Sequence, residues 1–573
     1  MTLPHSIFKI IINFIIKNFK HDYESIDYFK IKMMLVSTSF RDQIVPTLQY
    51  PIKYYTKMTN KDEFNSLTEC FELVENRPYH PLYFYRIEIP YQLPLNENIL
   101  KYIIAVNVID EIWGYDRPVR FEYLKTLILN ENSKVSGLLK QLEDGKLIVP
   151  NLDTIEFHTN AQSTEYTVGD LVLKFQSILK DFIRTFIFKC NPPTKEFMSG
   201  KHTFSRSITT LEFYRCHFNL ENLTMALTDY DCRVENFIYV NLGDDGMTYL
   251  DPFICKCLAN NISIRNLTLQ SAMTMSSKSL CTLLERNKNI QILELNFYQL
   301  IQEPSAYQVS NHTIRHLTTN QLGIFEFWTS SSLLSLNATT NYYQGAHGEI
   351  QNILRSHPSI ESVSKAQFRV NRNIVNREVI QPDIDWTLFY RLKKLSIHTI
   401  DLMFNITPLI DNITNLRNLK ITSENVPTNF IDQLLQCRNL HKLTCKYRFT
   451  SSHLLEVAKL ISENKSLYKL SIRFFVAQRE NIMGTHMSLL LLDFHLNVIQ
   501  SNTTLQSLSI QGLSASEDYY SFSYPVSRTE NIKISNAISK NPSIQSYNLS
   551  RYCQSKKVIK TLKTLGKSKC SAL

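Results

Sequence analysis

A six-residue apolar word, φ-x-x-φ-x-φ with φ drawn from Leu, Ile, Val, Phe and Tyr, recurs along most of this chain. Clear copies are Leu124/Leu127/Leu129, Leu152/Ile155/Phe157, Ile208/Leu211/Phe213, Ile264/Leu267/Leu269 and Ile290/Leu293/Leu295. It returns as Leu392/Leu395/Ile397, Leu416/Leu419/Ile421, Leu467/Leu470/Ile472 and Leu505/Leu508/Ile510. The middle residue advances in regular steps: 267 to 293 is 26, 395 to 419 is 24, 419 to 443 is 24 and 443 to 470 is 27. Alternate residues of a short strand point to one side, and a single unit cannot bury them. Stacked neighbours can, so the spacing predicts a solenoid, an architecture whose usual task is binding.

Between the words lie amphipathic stretches: LDPFICKCLANN, SKSLCTLLERNK, GEIQNILRSHP, TNFIDQLLQC and SSHLLEVAKLISENK. Each spaces apolar residues by three and four before an Asn- or Ser-containing turn, which predicts a helix after each strand. A strand followed by a full helix at this period resembles the ribonuclease-inhibitor-like subclass of leucine-rich repeats. The resemblance implies an α/β horseshoe with a parallel sheet inside and helices outside. The asparagine ladder of shorter repeats reads as mostly missing, which fits that subclass. With weaker copies at Ile314/Leu317, Leu333/Leu336, Ile360/Val363 and Ile544/Tyr547, the chain holds about sixteen units. The solenoid is expected over 121–550. The long steps 470 to 508 and 508 to 547 mark insertions, read as loops on a rim. Residues 51–120 form a bridge into the first irregular repeats. In it YHPLYFYRIEI alternates like a strand, and ILKYIIAVNVIDEIW fits a strand or a buried helix.

The first 50 residues differ. Leu3-Pro4 opens a stretch with Ile7, Ile11, Phe14, Ile15 and Phe19 at helical spacing, and LVSTSFR follows a polar gap. Leu3, Pro4, Ile7, Ile11, Leu35, Val36, Ser37, Phe40 and Arg41 match the pattern of an F-box, which the segment resembles. The middle departs from it, with DYESIDYFKIK where a short Leu-rich helix is usual. The same helices also fit a plain cap closing the first repeat. The resemblance implies binding of a Skp-type adaptor and its cullin complex through Leu3, Pro4, Ile7, Ile11, Leu35 and Val36. The chain would then be the target-binding receptor of a cullin-type ubiquitin ligase. The alternatives are a repeat scaffold without a ligase role, tethered to a membrane or not, and an enzyme regulator.

Composition narrows the classes further. The 573 residues are 43% hydrophobic, ample for folding and beyond a single compact core. Thirteen glycines leave no glycine-rich phosphate loop, and neither HExxH nor G-x-S-x-G occurs. No enzymatic activity, cofactor or metal is expected. His158, His316 and His398 read as surface or packing residues. Eleven cysteines include only a lone C-x-C, Cys255 and Cys257, which fits reduced thiols and a cytoplasmic chain. Sequons at Asn261, Asn266, Asn311, Asn412 and Asn502 are read as a by-product of Asn-, Ser- and Thr-rich composition. The N-terminal stretch is broken by Lys9, Asn13 and Lys17 and lacks a cleavage site, so no secretory signal is expected. No apolar run is long enough to span a bilayer.

Two charged features remain. The net charge is +10. If the φ residues point inward, Lys394, His398, Lys420, Lys442, Lys446, Lys469 and Arg473 face the inner surface. Earlier repeats place Glu156, Glu212, Asn266, Thr268, Glu294 and Asn296 at matching positions. This predicts a basic docking stripe for an acidic or phosphorylated protein; the bland alternative is mere solvation of an exposed sheet. No aromatic–basic alternation accompanies it, so nucleic acid is not expected. At the other end, Cys570-Ser571-Ala572-Leu573 outlines a C-a-a-X box behind Lys556, Lys557, Lys560, Lys563, Lys567 and Lys569. A lipid on Cys570 with these lysines would hold a fraction of the chain at a membrane surface. A frayed basic tail with a chance cysteine is the plainer reading.

Overall fold

The computed structural model describes most residues between 118 and 548, together with the strands Thr56–Met58, Tyr85–Ile89 and Ile103–Val108. Residues 1–55 and 549–573 lie outside the described residues, and with them the F-box-like segment and the basic tail. The chain divides into two compact units. The first runs to Ile314 and takes in Glu326–Trp328; the second comprises Arg315–Phe325 and the chain from Thr329.

Both units are built alike. The first continues from its three opening strands through Thr126–Leu129, Thr154–Thr159, Thr185–Cys190, Thr210–Tyr214, Asn236–Asn241, Asn266–Ser276 and Ile292–Ile301. Each pairs with the next in parallel. The second runs through His316–Thr319, Ser335–Ala338, Ser362–Phe368, Lys394–Ile400, Asn418–Ile421, Lys442–Phe449, Lys469–Val476, Ser507–Leu513 and Ser546–Asn548. These too pair in parallel, in chain order. The stretch left open between strand and helix contains the strand Ile103–Val108.

Register follows from the word. Leu395, Leu419, Leu443, Leu470 and Leu508 stand opposite one another, and all are buried. Two further full copies of the word, Ile183/Phe186/Phe188 and Val234/Phe237/Tyr239, are buried in the same places. In the first unit the third position stacks aromatic rings: Phe157 on Phe188 at 5.2 Å, and Phe188 on Phe213 at 4.9 Å. In the second it holds Ile397, Ile421, Cys445 and Ile472. Each such side chain removed from water contributes roughly 1.5–3 kcal/mol, which only stacking can realise.

From Leu395 to Leu508 the longer steps carry the longer helices. The 24-residue step 395 to 419 carries the four-residue helix Leu409–Asn412. The 27-residue step to 470 carries Ser451–Glu463, and the 38-residue step 470 to 508 carries the 18-residue helix Gly484–Ser501. Much of that insertion is therefore helix rather than rim loop. Helix Ser277–Arg286 shows the local logic. Ser276 caps it, its Oγ accepting from the Ser279 amide at 3.2 Å, and Leu280, Cys281, Leu283 and Leu284 form its buried face. Asn287 ends it.

Asn287 also corrects two readings of the sequence. An asparagine ladder is present, at the turn between helix and strand. Asn287 is buried; its Nδ2 donates to the Leu258 and Asn261 carbonyls, and its Oδ1 accepts from the Asn289 and Ile290 amides. Asn261, Asn311, Asn464, Asn502 and Asn541 repeat this geometry three residues before the first φ. In these five copies the Ser or Thr two residues on donates its hydroxyl to the same Oδ1. The N-x-S/T motifs at Asn261, Asn311 and Asn502 are thus ladder rungs rather than compositional accident. Each rung meets backbone groups that burial would otherwise leave unpaired.

Candidate protein-interaction surface

Alternation sends the φ residues toward the helices and the intervening residues to the opposite face, as the burial of Thr210–Tyr214 and Asn236–Asn241 shows. In the first unit that face begins with an in-register row, Thr126, Thr154, Thr185, Thr210, Asn236 and Asn266. Asn236 Nδ2 donates to Thr210 Oγ1 at 3.1 Å. The carboxylates beyond this row have partners. Glu156 accepts from His158 Nε2 at 2.5 Å and from Lys189 Nζ. Glu212 accepts from the Tyr214 hydroxyl at 2.9 Å, and Glu294 from Gln270 Nε2 at 2.7 Å. Burial opposes the charge on Glu156, which is 6% exposed, but the bonds from His158 and Lys189 win and bring its pKa to about 2. Burial, then Glu212, raises that of Tyr214.

The second unit presents a different face. Among the described residues, none of the nine strands of its ladder contains Asp or Glu. Lys394, Lys442 and Lys469 share the first outward row with Asn418, and Lys420 lies one row on beside Thr444. Lys394, Lys420 and Lys469 are exposed, and among the described residues none of the four lysines has an ion-pair partner. Lys442 Nζ sits 5.4 Å from the centre of the Tyr468 ring. His398 Nδ1 lies 3.0 Å from Thr422 Oγ1. Lys446 and Arg473 are paired strand positions, but their side chains lie outside the described residues. So do Leu3, Pro4, Ile7, Ile11, Leu35, Val36 and Cys570.

The sequence reading took only the second x of φ-x-x-φ. The first x holds Lys393, Arg417, His441 and Tyr468, which flank the lysine face at the start of the strands. It also missed Lys189, whose partner is 33 residues away. Cys255 and Cys257 do not act as a pair: Cys255 Sγ donates to Ser279 Oγ, and burial pushes the Cys257 thiol up to about 12. Neither Cys255 nor Cys257 forms a disulfide. No helix among the described residues is long and apolar enough to cross a membrane.

Parallel strands in register, helices on the φ side and a 24–27-residue step across most of the regular repeats define an α/β solenoid of the leucine-rich-repeat type. No protein-family model and no curated protein matches the chain. Among solved structures it is similar to a chain described as "Structure of the Toll - Spatzle complex, a molecular hub in Drosophila development and innate immunity". The identity is 10% and the TM-score 0.30, over 82% of this chain and 57% of that one, so the chain spans little more than half of its length. The fold class rests on the strand ladder and the repeated word.

Proposed function

We propose that this chain is a protein-binding solenoid whose second unit docks an acidic protein segment on the lysine face, and that it serves as the target receptor of a cullin-type ubiquitin ligase. The observation that carries the docking is a face on which, among the described residues, four lysines have no ion-pair partner and the strands hold no carboxylate. A surface of one sign focuses its field outward and speeds encounter with the opposite charge. The receptor role is supported by the F-box-like Leu3, Pro4, Ile7, Ile11, Leu35 and Val36. The chain itself makes and breaks no bond in this reading. It raises the local concentration of target beside a separate conjugating enzyme. Folding would take place in the cytoplasm, because a glycan on a buried ladder asparagine is incompatible with the rungs.

Two measurements test it. The full chain should co-purify with a Skp-type adaptor, and Leu3→Ala with Pro4→Ala should weaken that association. No adaptor binding at micromolar concentration removes the ligase role and leaves the interaction scaffold. Intact-mass analysis of protein from eukaryotic cells tests the membrane tether: a geranylgeranyl group on Cys570 with loss of Ser571, Ala572 and Leu573 supports it, and an unmodified end removes it.

A further inference from the structure

Beside the lysine face, the second unit holds an open cleft of about 650 Å³ at the start of its strands. We propose that this cleft is a phosphate seat centred on Arg417, which reads a phosphorylated serine or threonine in the segment that lies along the lysines. The inference rests on the docking reading above and deepens it from acidic to phosphorylated protein.

Glu361, Lys393, Arg417 and His441 each immediately precede a strand and line the cleft on successive rungs. Rungs are about 4.8 Å apart, so Lys393 and His441 stand roughly 10 Å apart with Arg417 between them. A phosphate over Arg417 reaches groups on both sides. The backbone beneath is fixed, since the Arg417 carbonyl accepts from both the His441 and Lys442 amides at 2.9 Å.

The polar groups around Arg417 are largely engaged. Both terminal nitrogens of Arg391 donate to carbonyls, of Pro358 and Leu354, at 2.9 Å. Lys393 Nζ pairs with Glu361 Oε1 at 2.6 Å. Asn415 donates to the Tyr390 carbonyl and Asn439 to that of Thr414. The exposed Arg417 guanidinium has no such partner among the described residues, and its planar fork suits two oxygens of one anion. Glu361 at the rim selects between anions. A ligand carboxylate brings one charge against it, whereas a phosphate brings close to two and three acceptor oxygens for Arg417, Lys393 and His441.

The neighbouring aromatic favours peptide over nucleic acid. A base needs a free ring face to stack on. Tyr468 has the His441 ring 5.8 Å away and Lys442 Nζ over it. The lysines that begin on the next residue, Lys394 and Lys442, then extend the positive surface along which acidic flanks can lie.

The test uses the full chain and fluorescence anisotropy. Three short acidic peptides differ only in a central serine, phosphoserine or glutamate, and an oligothymidylate of matched charge is the fourth probe. The phosphoserine peptide should bind about tenfold tighter than the glutamate peptide. Arg417→Lys and Arg417→Ala should abolish that preference, bringing phosphoserine-peptide affinity down to that of the glutamate peptide, with thermal unfolding unchanged. Equal binding of the phosphoserine and glutamate peptides, a proportionate loss of both in Arg417→Ala, or tighter binding of the oligothymidylate overturns the seat. The underlying reading fails separately. If Lys442→Glu with Lys469→Glu leaves every peptide affinity unchanged while the phosphoserine preference persists, the seat stands and the lysine face does not dock the segment.

Discussion

Among the described residues, the first unit's strands contain Glu88, Glu156, Glu212 and Glu294, and the second unit's strands contain no carboxylate. The parallel ladder and the Asn rungs are shared, so the difference lies in residues the fold does not constrain. In the first unit Glu156, Glu212 and Glu294 are met within the face, by His158 and Lys189, by Tyr214 and by Gln270. In the second, Lys394, Lys442 and Lys469 take the first outward row and Lys420 the next, and among the described residues none of the four has an ion-pair partner. One repeat geometry thus supports a face that satisfies itself and a face that does not.

The largest expected effect tests what the units share. Leu293→Asp in the first and Leu443→Asp in the second should each unfold neighbouring rungs, because an unpaired buried charge costs several kcal/mol. Hydrogen exchange should show loss of protection around the altered strand; retained protection would break the equivalence of the units. Asn287→Ala and Asn502→Ala come next, at roughly 3 kcal/mol each, since each leaves buried carbonyls and amides unpaired. Denaturant melts should show similar losses for the two. If instead the chain is routed through the secretory lumen, glycans on Asn261, Asn311 or Asn502 should abolish folding.

Acid separates the units. His357 and His495 in the second are buried, and burial lowers both pKa values to about 4, with a bond to the Ile353 carbonyl partly countering this at His357. A depressed histidine stabilises fully above its unfolded pKa of about 6.5, and that contribution is lost as pH falls toward 4. Glu156 in the first unit stabilises above about 4.5 and loses its contribution as pH falls toward 2. Each shift corresponds to roughly 3 kcal/mol. Exchange protection should therefore fall first in the second unit, between pH 6.5 and 4. The reverse order would show that other groups govern acid unfolding. The smallest effect concerns binding: Lys442→Glu with Lys469→Glu should weaken an acidic partner about tenfold, or about 1.4 kcal/mol, and most at low salt. Lys189→Met in the first unit should leave that affinity unchanged while destabilising Glu156. An affinity indifferent to salt reduces the lysines to solvation.

Most of the fold was legible because a strand's period of two is local. Leu395, Leu419, Leu443 and Leu470 announce their own burial, and the steps between them announce the stacking. Phe186 and Phe237 satisfy the same word with an aromatic middle residue. The N-x-S/T motifs were visible, but their meaning was not. An Asn rung works through the carbonyls of the preceding repeat, such as Leu258 for Asn287, and no local pattern reveals a partner 29 residues away.

By itself, the sequence determined that the chain stacks parallel strands with helices between them, because the apolar word and its step admit no other burial. It also determined which side chains face outward, since alternation leaves no choice. Tertiary structure alone decided which of these charges are answered. Glu156 finds Lys189 one strand away, Lys393 finds Glu361, and Arg417 between its neighbours finds nothing among the described residues. Pairing depends on register between segments 24 to 33 residues apart and on the reach of each side chain. Those quantities exist only once the rungs are laid side by side.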